Sequence, residues 1–391
     1  MNDDRNRSSF ALQPIKLIHA RQVVFGIGAA EQCAQDLVSR GVRRVFVVTS
    51  SPVASLAEPI SRRLRQSGAD VEIYPGIDSE PDVSMFNESL ESARRFGPDA
   101  VVGLGGGSAM DVSKLIAALL HSPQTVREVF GIDLLEGRET YLVCLPTTSG
   151  TGSEVSPNSI MLDEHERLKK GVVSPHLVPD GAYVDPGLTV SMPDAVTAST
   201  GMDALTHCIE AYANLHAHPI IDIYALEGIR LISENLASVM ANGRDLEARA
   251  AMSLGSLYGG VCLGPVNTAA VHALAYPLGS EFHIAHGVSN AVLLPHVLEF
   301  NLSAGIERYA QIARAMGLKA DLDEQLAQMA LQRIRELSSQ CGITQSLADF
   351  GVPRDALSRM AKAAMTVTRL LKNNLRPLTE LDAEAIYRAA F

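Results

Sequence analysis

Hydrophobic positions along the 391-residue chain follow two rhythms. In the first half, short apolar runs alternate with helical segments. RRVFVVTSS at 43–51 reads as a buried strand and a turn. EPISRRLRQSGADVEIYPGI at 58–77 reads as helix, glycine stop, strand. FGPDAVVGLGGGSAMDVSKLIAALL at 96–120 reads as strand, glycine loop, helix, and TYLVCLPTTSGTGSEVS at 140–156 as strand and small-residue loop. Alternation of β and α predicts a parallel sheet with helices on both faces. From about Pro193 onward the period becomes helical. DALTHCIEAYANLH, IDIYALEGIRLISENLASVMA and LDEQLAQMALQRIRELSSQCG are amphipathic runs, and convincing strands are missing. The expected fold is therefore an α/β, Rossmann-like domain over 1–193 followed by an all-α domain over 194–391. The cleft between them is the default active site.

Composition narrows the function. A hydrophobic share of 47% indicates a folded globular chain, and a net charge of −11 argues against nucleic acid as a partner. Five scattered cysteines without C-x-x-C suggest reduced thiols and a cytoplasmic location. The polar start MNDDRNRSSF lacks the apolar stretch of a signal peptide, and no apolar run reaches membrane-spanning length.

Two loops and one helix carry the candidate chemistry. GLGGGSAMDVSK at 103–114 joins a strand to a helix. Gly105, Gly106 and Gly107 allow close backbone approach, Ser108 is a candidate N-cap, and the helix N–H groups suit a phosphate. The spacing is not G-x-G-x-x-G, so the standard dinucleotide fingerprint is absent. TTSGTGSE at 147–154 could line the same ligand. It lacks the G-x-S-x-G elbow, which speaks against a serine hydrolase.

In TGMDALTHCIEAY at 200–212, Asp203 and His207 lie four residues apart on one helix face. Such a pair alone is more often structural than ligating. His272, His283, His286 and His296 follow in the segment 271–297. On one continuous helix His272 and His286 would be about 21 Å apart. Pro277 and Gly279 are expected to break that helix, letting the chain fold back so that both histidines reach Asp203 and His207. One carboxylate and three imidazoles suit Fe2+ or Zn2+ with a position open for a substrate oxygen.

With FGIGAAEQ, GGGSAMDVSK, PTTSGTGSEVS, the lysine pair before VDPGLT, TGMDALTHCIEAY and HGVSNAVLLPHV in this order, the chain resembles the iron-containing (group III) alcohol dehydrogenases. These share a fold with dehydroquinate synthase. The resemblance implies an NAD- or NADP-linked oxidoreductase moving a hydride between the cofactor and a small aldehyde or alcohol. Its implied metal ligands are Asp203, His207, His272 and His286. It implies that Gly105, Gly106, Gly107 and Ser108 hold the pyrophosphate, and that Asp111, Thr147, Thr148, Thr151 and Lys170 lie along the cofactor towards its nicotinamide. Asn158 would approach the substrate, and a homodimer or larger homo-oligomer is expected.

Three departures from the family pattern stand out. The family often has H-x-x-x-H at the third ligand, whereas HALAY places Tyr276 there. A phenol is a poor base near neutral pH, so the proton route falls to Tyr276 or to His283 as a spare candidate. A comparable tyrosine in hydroxyacid–oxoacid transhydrogenases makes a hydroxyacid dehydrogenase or transhydrogenase, acting on semialdehydes and hydroxyacids, the alternative. NAD-selective members tend to have Asp after the first-strand V-T. VVTSS offers Ser50 instead, from which acceptance of NADPH is expected. Leu263 stands where relatives often have Phe, which implies a reshaped substrate pocket.

Overall fold

The structure, a computed structural model, describes residues 14–166 and 168–391. The first thirteen residues, including the whole polar start read as lacking a signal peptide, lie outside the described residues. The first half contains β1 (Gln22–Phe25), α1 (Ala29–Ser39), β2 (Arg44–Val48), α2 (Glu58–Gln66), β3 (Asp70–Tyr74), α3 (Val83–Phe96), β4 (Ala100–Gly105) and α4 (Gly107–Leu119). It continues with β5 (Gly131–Ile132), β6 (Tyr141–Pro146), β7 (Asn158–Asp163), β8 (Leu168–Val173) and β9 (Gly181–Val184). Only helices follow: α5 (Asp194–Tyr212), α6 (Pro219–Ala241), α7 (Leu246–Leu263), α8 (Ala270–Phe282), α9 (His286–Asn301), α10 (Ile306–Ala315), α11 (Asp323–Gln340), α12 (Leu357–Ala364), α13 (Thr368–Leu371) and α14 (Glu380–Ala389).

Six strands form a parallel sheet in the order β1-β9-β6-β4-β2-β3. Its central strands read as unbroken apolar runs because both faces are covered. Val45 and Val47 of β2 meet Cys33, Leu37, Ile60 and Leu64 of α1 and α2. Phe46 and Val48, pointing the other way, meet Phe86, Leu90, Met110 and Leu115 of α3 and α4. The strand order is the second common doubly wound order, with its switch point between β2 and β4. Ligands of such sheets sit in the crevice at the carboxyl ends of the strands there. A separate three-stranded sheet, β5-β8-β7, was not evident from the hydrophobic pattern. Its short strands mix polar and apolar residues.

The helical half has its own core, in which Met202, Leu205 and Ile209 of α5 meet residues of α6 to α12 and α14. The two halves meet at glycines. Gly152 has φ 61°, and a Cβ built on it would lie 2.2 Å from the Gly260 Cα on α7. That distance leaves no room for a side chain, so the loop after β6 lies directly against the helix.

The expected break at Pro277 and Gly279 is corrected. Helix α8 runs through both residues to Phe282 and ends where His283 takes a left-handed φ of 55°. The turn at 283–285 then sets α9 back against α8.

Candidate active site and metal centre

Residues 203, 207 and 210 follow an i, i+4, i+7 pattern and share one face of α5. Asp203 and His207 are buried there, facing His272 from α8 and His286 from the first residue of α9. Asp203 Oδ1 lies 3.9 Å from His207 Nε2, 3.7 Å from His272 Nε2 and 3.7 Å from His286 Nε2. Four ligands on a tetrahedral ion at about 2.1 Å would stand about 3.4 Å from one another. The three spacings to the carboxylate are close to that, and the ligand atoms of Asp203, His207 and His272 all lie within 4.8 Å of one another.

The ring orientations are fixed from behind. His272 Nδ1 donates to Glu210 Oε2 at 2.5 Å, while Glu210 Oε1 accepts the Val271 N–H at 2.6 Å. His207 Nδ1 faces the Gly150 carbonyl at 3.3 Å. Both rings therefore turn Nε2 towards Asp203, as metal-ligating imidazoles require. The Asn290 amide nitrogen reaches into the same point, 2.7 Å from Asp203 Oδ1, 3.1 Å from His272 Nε2 and 3.3 Å from His286 Nε2. Its own Oδ1 is buried without a partner. Acceptors converging on one N–H group are a donor set suited to a cation, so the residues fit a divalent metal.

Charge supports the same reading. Burial pulls the Asp203 carboxyl up, but the imidazoles, His207 first, outweigh it and hold it well below the usual carboxylate range. Burial would lower His272, yet Glu210 and Asp203 lift it to about 9. His286, with no carboxylate behind it, is pushed by burial down to about 3.

A cleft of about 170 Å³ opens from this cluster towards the glycine loop. Gly107, Ser108, Asp111, Thr151 and Asn158 line its α/β wall, and Leu263 and Tyr276 its helical wall. Gly106, not Ser108, is the N-cap of α4, and no side chain caps the helix. Its first N–H groups are left for a ligand. A Cβ on Gly107 would meet Thr151 Cγ2 at 2.6 Å. Gly105 accepts the Thr147 N–H at 2.9 Å, and Thr148 lies 3.6 Å from a Cβ built on Gly106, so both threonines support the loop from β6. Asp111 accepts the Ser153 hydroxyl at 2.5 Å and the Ile160 N–H at 2.8 Å, tying the second loop to α4.

Two expected residues lie elsewhere. Lys170 turns away from the cleft and pairs with Asp163 at 3.2 Å and Glu166 at 2.6 Å. Its neighbour Lys169 lines the cleft and pairs with Glu80 at 2.5 Å. Alternation along β8 explains the exchange. His283 is exposed at the end of α8, outside the cleft lining, so it is not placed for proton transfer. Glu210, Asn290, Lys169 and Arg369 were missed. Glu210 and Asn290 were findable as helical neighbours of the ligands, at Asp203+7 and His286+4. Lys169 needed the strand register, and Arg369 comes from a distant helix.

Ser50 lies two residues beyond the end of β2, beside the switch point, and bridges to Gly76. The next residue brings a carboxylate there. Asp78 accepts the Ser51 N–H at 2.6 Å and its hydroxyl at 2.8 Å.

Two family profiles match the chain, "Iron-containing alcohol dehydrogenase" over residues 20–186 and "Fe-containing alcohol dehydrogenase family, C-terminal" over residues 197–391. Long-chain-alcohol dehydrogenase 1 of Geobacillus thermodenitrificans (strain NG80-2) is 39% identical over 94% of each chain. Sulfoacetaldehyde reductase of Bilophila wadsworthia (strain 3_1_6) is 31% identical over 95% of this chain and 97% of its own. A crystal structure of 1,3-propanediol oxidoreductase superposes with a TM-score of 0.94 at 33% identity, covering 97% of this chain and all of that one.

Proposed function

The chain belongs to the iron-containing alcohol dehydrogenase family, and from that premise we propose that it interconverts a small aldehyde and its alcohol, with NAD(H) in the cleft and Fe2+ at the histidine cluster. Residues 1–193 serve as the dinucleotide-binding domain and 194–391 as the metal-binding domain. The observation that carries the reading is the convergence of Asp203 Oδ1 and three Nε2 atoms at one end of a cleft whose other end is the uncapped start of α4.

The bound metal supplies Lewis acidity, polarising a substrate oxygen and stabilising its negative charge. Asp203, His207, His272 and His286 would hold it, with Glu210 and the Gly150 carbonyl fixing two of the rings. The N–H groups of Gly107 and Ser108 bind the cofactor pyrophosphate, and Gly107 lets it come close. Thr151 and Asn158 border the space for the nicotinamide and substrate. Leu263 shapes the apolar wall. Burial raises the Tyr276 phenol above its ordinary pKa, only partly offset by the Arg369 charge. Tyr276 therefore stays protonated and orients the substrate oxygen by donating a hydrogen bond, rather than acting as a base.

Asp78 changes the cofactor expectation drawn from Ser50. A carboxylate beside the β2 end accepts a ribose hydroxyl and repels a 2′-phosphate, so NADH is preferred over NADPH. A homo-oligomer belongs to the same proposal. Edge strand β1 exposes Val23 and Phe25 on one face, a surface that a second β1 can cover. The five cysteines are buried free thiols, in keeping with a cytoplasmic setting. Among the described residues no helix is long and apolar enough to cross a membrane.

The test is oxidation of NADH and NADPH by anaerobically iron-loaded protein with neutral and acid-bearing aldehydes. Turnover with NADH above NADPH is expected, with the ratio falling in Asp78→Asn. Absence of turnover with every aldehyde, in protein that binds both metal and NADH, would overturn the reading in favour of hydride exchange between a hydroxyacid and an oxoacid.

A further inference from the structure

The cleft contains a cation that no carboxylate among the described residues neutralises. Arg369 lies on α13 and lines the cleft beside Tyr276. Its Nη1 is buried and has no hydrogen-bond partner. The cleft carboxylates are already engaged elsewhere. Glu80 faces Lys169 at 2.5 Å. Asp111 takes the Ser153 hydroxyl and the Ile160 N–H, and Asp203 faces the three imidazoles. Among the described residues no carboxylate oxygen lies within ion-pair distance of Arg369. A buried N–H of a guanidinium left unpaired is costly, and hydrogen bonds to charged groups are the strong ones. The fork of a guanidinium matches a carboxylate or sulfonate, and much less a neutral carbonyl.

The position of Arg369 fits a substrate contact. A second cavity of about 290 Å³, bordered by Thr366, Val367 and Thr368, shares Lys169, Tyr276 and Arg369 with the metal cleft. These three residues form a neck between the two spaces. The Tyr276 ring centroid lies 6.4 Å from that of His286, so a molecule in the neck is one side chain away from the metal ligands. A purely structural arginine at such a place would be expected to answer a carboxylate, and Arg369 answers none.

We propose that Arg369 recognises an acid group on the substrate, making this enzyme selective for short aldehydes that carry a carboxylate or sulfonate a few bonds from the carbonyl. The proposal rests on the oxidoreductase reading above and names its substrate class. The carbonyl end points to the histidine cluster, and the acid end occupies the neck, where Arg369 pairs with it while Lys169 stays paired with Glu80. Arg369, which also hydrogen-bonds Tyr276, is a specificity-determining residue in this scheme, and neutral aldehydes leave its Nη1 without a partner.

The experiment compares 4-oxobutanoate with butanal, two four-carbon aldehydes that differ in the acid group. It uses iron-loaded wild type, Arg369→Gln and Arg369→Lys. The wild-type kcat/KM should favour 4-oxobutanoate, and Arg369→Gln should cut that preference by about 10- to 100-fold, the range for a hydrogen bond to a charged group. Arg369→Lys should restore part of it. The change should lie mainly in KM. Repeating the comparison with sulfoacetaldehyde separates the sulfonate from the carboxylate.

A second readout does not need turnover. The chain has no tryptophan, so the fluorescence of bound NADH can be followed without that donor. Butanoate should perturb the enzyme–NADH complex, and its dissociation constant should rise at least tenfold in Arg369→Gln. NADH binding by the variant shows that it is folded. Turnover of butanal with no preference for the acid aldehyde, and a ratio unmoved by Arg369→Gln, would overturn the proposal while leaving the oxidoreductase reading intact. No turnover of either aldehyde would count against the oxidoreductase reading. The butanoate titration would then decide the acid-binding proposal alone.

Discussion

The two walls of the cleft are built on opposite principles. On the helical wall the chemistry lies in side chains, held by helices with buried partners behind them. His272 is fixed by Glu210, and Asp203 by the Asn290 amide. On the α/β wall the working atoms are backbone N–H groups, and the side chains matter chiefly by being small. Gly107 works by having no Cβ to meet Thr151. Substitutions should therefore fail differently on the two sides, through lost ligands on one and obstructed approach on the other.

The largest effect expected is His272→Ala. It removes a donor and leaves Glu210 without the ring that it holds. Iron content should fall and turnover should drop by more than about a thousandfold, as for groups that act as a unit. Metal analysis and NADH oxidation check this together, and an active, metal-free variant would break the assignment. Gly107→Val is the matching change across the cleft. Its branched side chain cannot fit against Thr151 without shifting the loop, and small misplacements of this kind cost about 100-fold in rate. Here iron should stay bound while the dissociation constant for NADH rises. A variant that lost iron and kept its NADH affinity would erase the contrast between the walls.

Glu210→Gln sharpens the comparison. The amide can still accept the Val271 N–H but no longer offers charge to His272. Removing such a partner typically costs about 10- to 100-fold in metal affinity. A competition titration against a chelator measures it. An unchanged affinity would make Glu210 a structural residue of α5 only.

The same contrast explains what the sequence disclosed. Asp203 and His207 were legible because a helix presents i and i+4 on one face. Glu210 was legible by the same rule, had the pattern been followed one step further. The glycine loop was legible because three glycines at a strand-to-helix junction have few other uses. Choosing between Lys169 and Lys170 was harder, since one residue of register on β8 decides which enters the cleft and Asp163 and Glu166 hold the other. Asp78 and Arg369 were hidden for another reason. They reach Ser51 and Tyr276 across long stretches of chain, and no local period reports such contacts. The fold-back between His272 and His286 was foreseen in outcome but placed at the wrong residues. Pro277 is tolerated inside α8, and the left-handed turn at His283 does the work.

The seam between the walls supplies the smallest effect and a test of a different kind. Glu154 follows Gly152 in the loop pressed against α7, and the next residue, Val155, packs with Leu257 and Val261 of that helix. Burial pushes the Glu154 carboxyl up to about 7, from 4.5, against the smaller pulls of a backbone hydrogen bond and Lys114. Between these two values the folded protein binds more protons than the unfolded chain, so stability falls as pH rises. Below about pH 4.5 this contribution is fully present, and above about pH 7 it has been lost. The whole excursion is of the order of 3 kcal/mol. Glu154→Gln cannot ionise and should flatten that slope, melting higher than wild type at pH 8 and losing the advantage near pH 5. Thermal melting from pH 5 to 8 reads the difference. Parallel curves for the two proteins would mean that the seam admits enough water to ionise the carboxylate without cost. The contact between the walls would then be looser than the glycine packing of Gly152 on Gly260 requires.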